Sequence, residues 1–326
     1  MHELYLSGPG QIGLRNMKPL PDVREDEVKI ESIYGGICGS DLSVYLGSLE
    51  HAVYPVRPGH ELLGRVVEAG GSSGLHAGQR VVIQPNTYCG RCEWCLVGKT
   101  NICPHKKSLG VNMDGVFCSR FVIPSRYAIP VPDGLPDERA VLTEPLAVVV
   151  HAFKKVRIGQ GTKIAVIGCG NEGMLAAALA LYMGAEVTAM DINPKKLDLV
   201  RQLGDIRTAH PDEIAEEDFE VVIEAAGVRQ SVEKGVQVVK PGGSLVLIGL
   251  AKEATLPVIK IVRKEISIYG TIIYKSPEDF RQAMEYLLDS RFHIAPLVTG
   301  VYPPEEVEAA YGSALSGDHG KVLLKF

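Results

Sequence analysis

No stretch of this 326-residue chain carries the roughly 18 consecutive apolar residues that a membrane-spanning helix needs. The opening "MHELYLSGPG" also lacks the basic-then-apolar layout of a secretory signal, so a cytoplasmic protein is expected. There is no excess of positive charge. The formal net charge is −5 and the pI about 6.0, which leaves nucleic acid and anionic membrane without an electrostatic footprint. Repeats and low-complexity segments are absent. Charged residues make up 22% against 46% hydrophobic, a balance that argues against disorder and allows a large packed core. The length suggests about two domains.

Cysteine is sparse, seven in all, yet four crowd into "CGRCEWCLVGKTNIC" at Cys89, Cys92, Cys95 and Cys103. In a reducing compartment clustered cysteines are more often metal ligands than disulfides. A thioredoxin-type C-x-x-C would open a helix in a βαβ unit, whereas this run lies in a loop of a strand-rich half. The ferredoxin spacing ends with a shorter gap than the one before Cys103, and no partner set accompanies it. Four thiolates with no spare ligand make a closed tetrahedral zinc site, structural rather than catalytic. Arg91 and Lys99 would offset part of its charge. Trp94, the only tryptophan, reads as a packing or interface residue of this lobe.

Two textures divide the chain. Up to about residue 145, short apolar runs such as "EVKIESIYGG", "GRVVEAG" and "QRVVIQP" alternate with Gly, Pro and Asp, the pattern of a strand-rich domain. From about 161 strands and helices alternate. "KIAVIG" and "AEVTAMD" read as strands, "NEGMLAAALALYMG" as a helix ending at Gly184, and "NPKKLDLVRQLG" as a helix from Pro194 to before Gly204. "FEVVIEAAG" and "GGSLVLIGL" continue the series, which predicts an α/β domain with a doubly wound parallel sheet. The acidic "PDEIAEEDFE" reads as a solvated surface, with a further helix in "SPEDFRQAMEYLLDSRF" and a closing strand in "GKVLLKF".

"GCGNEG", Gly168 to Gly173, is G-x-G-x-x-G placed between a strand and a helix, with Asp191 at the end of the next strand. Gly168 permits the tight turn, Gly170 lets backbone approach a pyrophosphate, and Gly173 allows close helix–strand packing. The helix N-terminus beyond Asn171 faces the anion. Asp191 would accept bonds from the adenosine ribose hydroxyls and repel a 2′-phosphate, favouring NAD over NADP. Lys195 and Lys196 weaken that preference. Glu172 places a second negative charge in the turn, where only the helix N-terminus favours it. The alternative is a nucleotide-free α/β sheet with a glycine turn.

The chemistry must lie elsewhere than the cysteine lobe. "GGICGSDLS" supplies Cys38, Ser40 and Asp41, "RPGHELLG" supplies His60 and Glu61, and "LTEPLAVVVHAF" supplies Glu144. Singly, each has a bland structural reading. Together, a thiolate, an imidazole and a carboxylate bind zinc while leaving a position open. These segments, with the cysteine lobe, "GCGNEG" and "KPGGSLVLIG", resemble the zinc-dependent medium-chain dehydrogenase/reductase family, in particular its sorbitol (polyol) and threonine dehydrogenase branch.

The resemblance covers nearly the whole chain. It implies a GroES-like, β-rich catalytic domain from residues 1–148 and 273–326, with a zinc lobe at about 86–107. A Rossmann NAD-binding domain, 149–272, is inserted between, and a homodimer or homotetramer forms through the coenzyme domains. Two zinc ions per chain are implied, one structural and one catalytic. Cys38, His60 and Glu61 would hold the catalytic one, with Glu144 either a direct ligand or the partner of a zinc-bound water. Asp41 would orient His60, and Ser40 would take the alcohol proton. Lys196 would meet the coenzyme, Ile248, Gly249 and Leu250 would line its nicotinamide, and Gly270, Thr271 and Ile272 would close that pocket. The implied reaction is hydride transfer between NAD and a small secondary alcohol or its ketone: a polyol, cyclitol, sugar derivative or hydroxy amino acid.

Two departures stand out. The family's relay histidine is replaced by Ser43, so the relay is shortened, rerouted with His51 as a nearby candidate, or carried by water. Ile268 precedes Tyr269 where polyol enzymes often carry Arg. The second hypothesis is a zinc-stabilised NAD(H)-binding protein whose chemistry has lapsed. Cys118, Cys169 and His151 read as core residues. Tyr45, Tyr54 and Arg57, between the metal motifs, are candidates to reach the substrate.

Overall fold

The apolar "EVKIESIYGGI" folds as a strand, Glu27–Ile37, at the centre of a seven-stranded sheet. The computed structural model describes residues 1–214 and 218–326. The sheet runs Val298–Tyr302, Lys321–Lys325, Glu27–Ile37, Glu61–Ala69, Arg80–Ile83 and Ala128–Pro130, with Arg120–Pro124 also paired to Glu27–Ile37. Lys321–Lys325 pairs antiparallel with Glu27–Ile37, so residues from both ends of the chain build one unit. That unit comprises Met1–Glu144, Lys275–Leu288 and Val298–Phe326. Its core includes Leu4, Leu6, Ile37, Val44, Phe117 and Tyr311.

The other unit comprises Pro145–Tyr274 and Asp289–Leu297. Its six strands are all parallel, in the order Arg207–Ala209, Glu186–Met190, Lys163–Ile167, Phe219–Glu224, Val239–Leu247, Ser267–Gly270. In chain order these are third, second, first, fourth, fifth and sixth, the doubly wound arrangement of a Rossmann sheet. Most of them read as continuous apolar runs, because helices pack on a parallel sheet and leave it little wetted face. The order reverses between Lys163–Ile167 and Phe219–Glu224, and the crevice at the carboxyl ends of strands there is where such sheets bind dinucleotides. Helix Asn171–Tyr182 ends before Gly184, and helix Pro194–Arg201 is capped by Asn193, whose side chain accepts from the Lys195 N–H at 3.0 Å. Residues 215–217 of the acidic stretch lie outside the described residues, while Asp212, Glu213 and Asp218 beside them are exposed. Among the described residues no helix is long and apolar enough to cross a membrane.

Residues 289–297 group with the Rossmann unit, although the resemblance assigned them with the catalytic domain. The reason is local. Phe292 is buried and packs edge-on against Tyr182 at 5.5 Å, and the Tyr182 hydroxyl donates to Asp289 at 2.7 Å. The Arg291 guanidinium, and then the Tyr182 hydroxyl, hold the Asp289 carboxyl well below the usual carboxylate range. A folded-state value below the unfolded one, about 4, stabilises the fold above that pH and is lost progressively as pH falls. Asp289→Asn is therefore expected to melt below the natural protein at neutral pH, with the gap narrowing below about pH 4. A gap that stays constant into that acid range would show that the charge plays no part.

Candidate metal centre and coenzyme site

Strand Glu27–Ile37 delivers Cys38 to the N-terminus of helix Gly39–Tyr45, and Asp41 occupies the third position of that helix. Asp41 is fully buried. Its Oδ2 accepts from the Cys38 N–H at 3.0 Å, and its Oδ1 accepts from the Gly59 N–H at 3.1 Å and lies 3.2 Å from His60 Nδ1. One carboxylate thus ties two segments that are distant in sequence. By accepting from the Nδ1 N–H it would leave Nε2 available to ligate a metal. Burial disfavours the imidazolium, but the charge and hydrogen bond of Asp41, with a smaller contribution from Cys38, outweigh it and raise the His60 pKa well above its ordinary value. A more basic imidazole is a better metal ligand.

Donor atoms of Cys38, His60 and Glu61 all lie within 4.8 Å of one another. Bonds of about 2.0–2.3 Å to a single zinc ion close such separations with little side-chain adjustment, and three ligands leave a fourth position open. Ser40 Oγ is 3.3 Å from His60 Nε2. Glu144 is buried in the first turn of helix Thr143–Phe153 but falls outside this three-donor group. Lys321, which the sequence reading missed, contacts both carboxylate oxygens of Glu61, and both side chains are fully buried. Strand pairing brings it there: Val322 lies opposite Ile37, and Gly36 opposite Glu61. Its charge offsets that of the carboxylate.

In the cysteine lobe, Cys89 Sγ lies 4.0 Å from Cys95 Sγ, and Cys92 Sγ lies 3.9 Å from Cys103 Sγ. All four sulfurs fall within 4.8 Å of one another. Four thiolates around zinc at about 2.3 Å stand about 3.8 Å apart, whereas a disulfide requires about 2.05 Å. The observed spacing fits the metal and excludes a disulfide. The backbone N–H of Arg91 leads in lowering the Cys89 thiol to about 6, while desolvation leads in pushing Cys95 up to about 12. Four sulfurs this close cannot all carry charge unless a cation sits among them.

The glycine-rich turn tolerates no side chain at two of its positions. Gly168 has φ +93°, and a Cβ on Gly173 would stand 1.8 Å from the Gly168 carbonyl oxygen, so neither tolerates a side chain. Gly170, the residue before helix Asn171–Tyr182, faces open space. Glu172 stands in the first helical turn, where the dipole favours its charge. Asp191 is half-buried and accepts from the Cys169 N–H at 2.7 Å and the Asn193 N–H at 2.8 Å. Its remaining lone pairs are free in number to take ribose hydroxyls. Lys196 is half-buried nearby in sequence and Lys195 is exposed. Ile248 and Gly249 are half-buried, Leu250 is exposed, and Thr271 bonds the Leu247 carbonyl through both its N–H and its hydroxyl, each at 3.1 Å. Gly270 is exposed and Ile272 half-buried beside it.

Most of the other candidates are engaged within the fold. Ser43 donates to the Gly39 carbonyl at 3.0 Å, and His51 is exposed. The Tyr54 hydroxyl donates to the Val44 carbonyl, Tyr45 packs on Tyr311, and Arg57 pairs with Glu3 at 2.7 Å. Cys118 and Cys169 are buried, which pushes both thiols up, Cys118 to about 12. His151 is buried as well.

Residues 24–133 match the alcohol dehydrogenase GroES-like domain, and residues 173–289 the zinc-binding dehydrogenase family. An uncharacterized zinc-type alcohol dehydrogenase-like protein of Haemophilus influenzae is 32% identical, covering 99% of this chain and 96% of its own. A sorbitol dehydrogenase of Halalkalibacterium halodurans is 33% identical, over 97% and 96%. Among solved structures, galactitol-1-phosphate dehydrogenase from Escherichia coli superposes with a TM-score of 0.92 at 28% identity, covering 100% of both chains. A zinc-binding dehydrogenase from Sinorhizobium meliloti bound to NADP superposes with 0.92 at 27% identity, over 100% and 99%. The chain belongs to the zinc-binding alcohol dehydrogenase family. It is an oxidoreductase that acts on alcohols with zinc and a nicotinamide coenzyme.

Trp94, as the only tryptophan, lets the cysteine lobe be read by fluorescence. It is partly exposed, with Lys99 Nζ 5.7 Å from its ring. Cys103→Ser is expected to remove one zinc per chain and change Trp94 emission, with NADH binding unaltered. Unchanged metal content in that variant would show that the four sulfurs do not act as one site.

Proposed function

We propose that this chain interconverts a polyhydroxylated secondary alcohol and its ketone, using NAD and a zinc ion held by Cys38, His60 and Glu61. The observation that carries the reading is the Asp41 carboxylate, bonded at once to the Cys38 N–H, the Gly59 N–H and His60 Nδ1. It fixes two ligands from separate segments and leaves Nε2 of His60 grouped with the donors of Cys38 and Glu61. Zinc held by Cys38, His60 and Glu61 would supply Lewis acidity toward an alcohol or carbonyl oxygen, and the nicotinamide would supply the capacity to accept or return hydride. The chain's own groups do the rest. Ser40 Oγ, beside Nε2, takes the alcohol proton. Ser43 is turned into its own helix, so the proton leaves Ser40 to water rather than through a second side chain. Glu61, rather than Glu144, is the third ligand, because its oxygen lies within the three-donor group.

A second zinc belongs to Cys89, Cys92, Cys95 and Cys103, with a structural role. NAD rather than NADP is supported by Asp191, although the Sinorhizobium relative binds NADP. The substrate class is supported by the sorbitol and galactitol-1-phosphate dehydrogenases among the relatives. Ile268, half-buried where polyol enzymes often carry Arg, points to a substrate other than sorbitol itself. A homo-oligomer is supported by Val258, Ile259 and Val262, which are 65–70% exposed on helix Val258–Arg263, leading into the edge strand Ser267–Gly270. The lapsed-enzyme alternative gains nothing from relatives that are themselves named dehydrogenases.

The test is NADH formation by zinc-loaded protein across polyols, cyclitols, sugar phosphates and threonine. Turnover is expected on one class, falling with NADP in place of NAD, and falling at least ~100-fold in Cys38→Ala. Full turnover in Cys38→Ala would refute the metal assignment.

A further inference from the structure

Glu224 closes the strand Phe219–Glu224 and is fully buried, yet the reaction described above does not use it. Its carboxylate Oε1 accepts from the Ala226 N–H at 2.9 Å and the Gly227 N–H at 2.7 Å. Ser231 Oγ lies 2.6 Å from the same oxygen and 2.7 Å from the Val228 carbonyl, its single proton serving one of them. The main chain of the same residue reaches the neighbouring strand end, where the Glu224 carbonyl accepts from the Ile248 N–H at 2.9 Å and the Gly249 N–H at 3.1 Å. One residue therefore bonds the loop after its own strand through its side chain, and the turn after the adjacent strand through its backbone.

Those two chain segments touch with no room for a side chain. A Cβ on Gly249 would stand 2.3 Å from the Gly227 nitrogen and 2.6 Å from Glu224 Oε2. Oε2 itself is buried and, among the described residues, has no hydrogen-bond donor. It rests on the side of Gly249 that bears hydrogen, a contact too weak to replace a conventional bond. A half-satisfied buried carboxylate is costly, and an aliphatic side chain at this strand end would avoid that cost. What only an acceptor provides is partners for two loop amides beneath the Ile248–Leu250 turn.

We infer that Glu224 is a positioning residue for the nicotinamide end of the coenzyme, setting the Ile248–Leu250 floor by holding the Ala225–Val228 loop against Gly249. This rests on the proposal that Ile248–Leu250 meet the nicotinamide. Asp191 and the glycine turn act on the adenosine and pyrophosphate end, so the two ends separate experimentally.

The test is calorimetric binding of NADH and of ADP-ribose, which lacks the nicotinamide, to the zinc-loaded natural protein, Glu224→Ala and Glu224→Gln. Glu224→Ala is expected to lose about tenfold in NADH affinity, the worth of one hydrogen bond to a charged group, with ADP-ribose binding unchanged. Glu224→Gln retains an acceptor for both amides and is expected to recover most of the loss, a rescue that a merely buried filler would not show. Unaltered NADH binding in Glu224→Ala overturns the proposal. So does a parallel fall for both ligands in the variants, which would assign Glu224 to the fold in general. If Glu224→Ala does not fold, full-strength loss in folded Glu224→Gln also overturns it. Equal binding of NADH and ADP-ribose by the natural protein would instead refute the nicotinamide assignment of Ile248–Leu250, and the proposal with it.

Discussion

The Asp41 carboxylate is the constraint on which the proposed metal centre depends. It sits in the first turn of a short helix, bonds the cysteine that precedes that helix, and crosses to bond the segment that carries His60. Each such bond to a charged group contributes about 1.5–3 kcal/mol, and a buried carboxylate deprived of them would be severely destabilising. The geometry of the ligands is therefore fixed by the same interactions that stabilise the turn. Burial strengthens the arrangement, since the charge of Asp41 acts on the imidazole with little water between them.

A second buried pair completes the site from the far end of the chain. Glu61 and Lys321 are both fully buried and in contact, so each offsets part of the cost of burying the other, and removing either alone would leave an uncompensated buried charge. Their meeting depends on strand pairing that joins residues near the C-terminus to the Glu27–Ile37 strand. In the Rossmann unit, Glu224 plays a related structural part, linking two strand ends through backbone and side chain.

Much of this was legible in the sequence where the chemistry is local. The cysteine spacing announces the four clustered sulfurs, and Gly168 and Gly173 announce the tight turn between strand and helix, because each signal is written within one turn or one βαβ unit. Strand–helix alternation likewise gave the parallel sheet. The rest depends on contacts remote in sequence. Lys321 sits in "GKVLLKF", where a lysine reads as the solvated start of a strand, and only pairing with the Glu27–Ile37 strand places it on Glu61. Glu224 reads as an ordinary strand end. Tyr54 and Arg57 lie between two metal motifs, but hydrogen bonds and ion pairs within the fold engage them. Residues 289–297 join the Rossmann unit through Tyr182, more than a hundred residues earlier in the chain.

The most direct measurement is zinc content together with alcohol-dependent NADH formation in Asp41→Asn. Asparagine keeps the size of the side chain but cannot accept from His60, Gly59 and Cys38 with the same charge. If Asp41 organises a catalytic zinc at Cys38 and His60, affinity for one of two ions and turnover should each fall by about 10–100-fold, with the cysteine-lobe zinc retained. Two tightly held zinc ions and undiminished turnover in Asp41→Asn would contradict that role for Asp41.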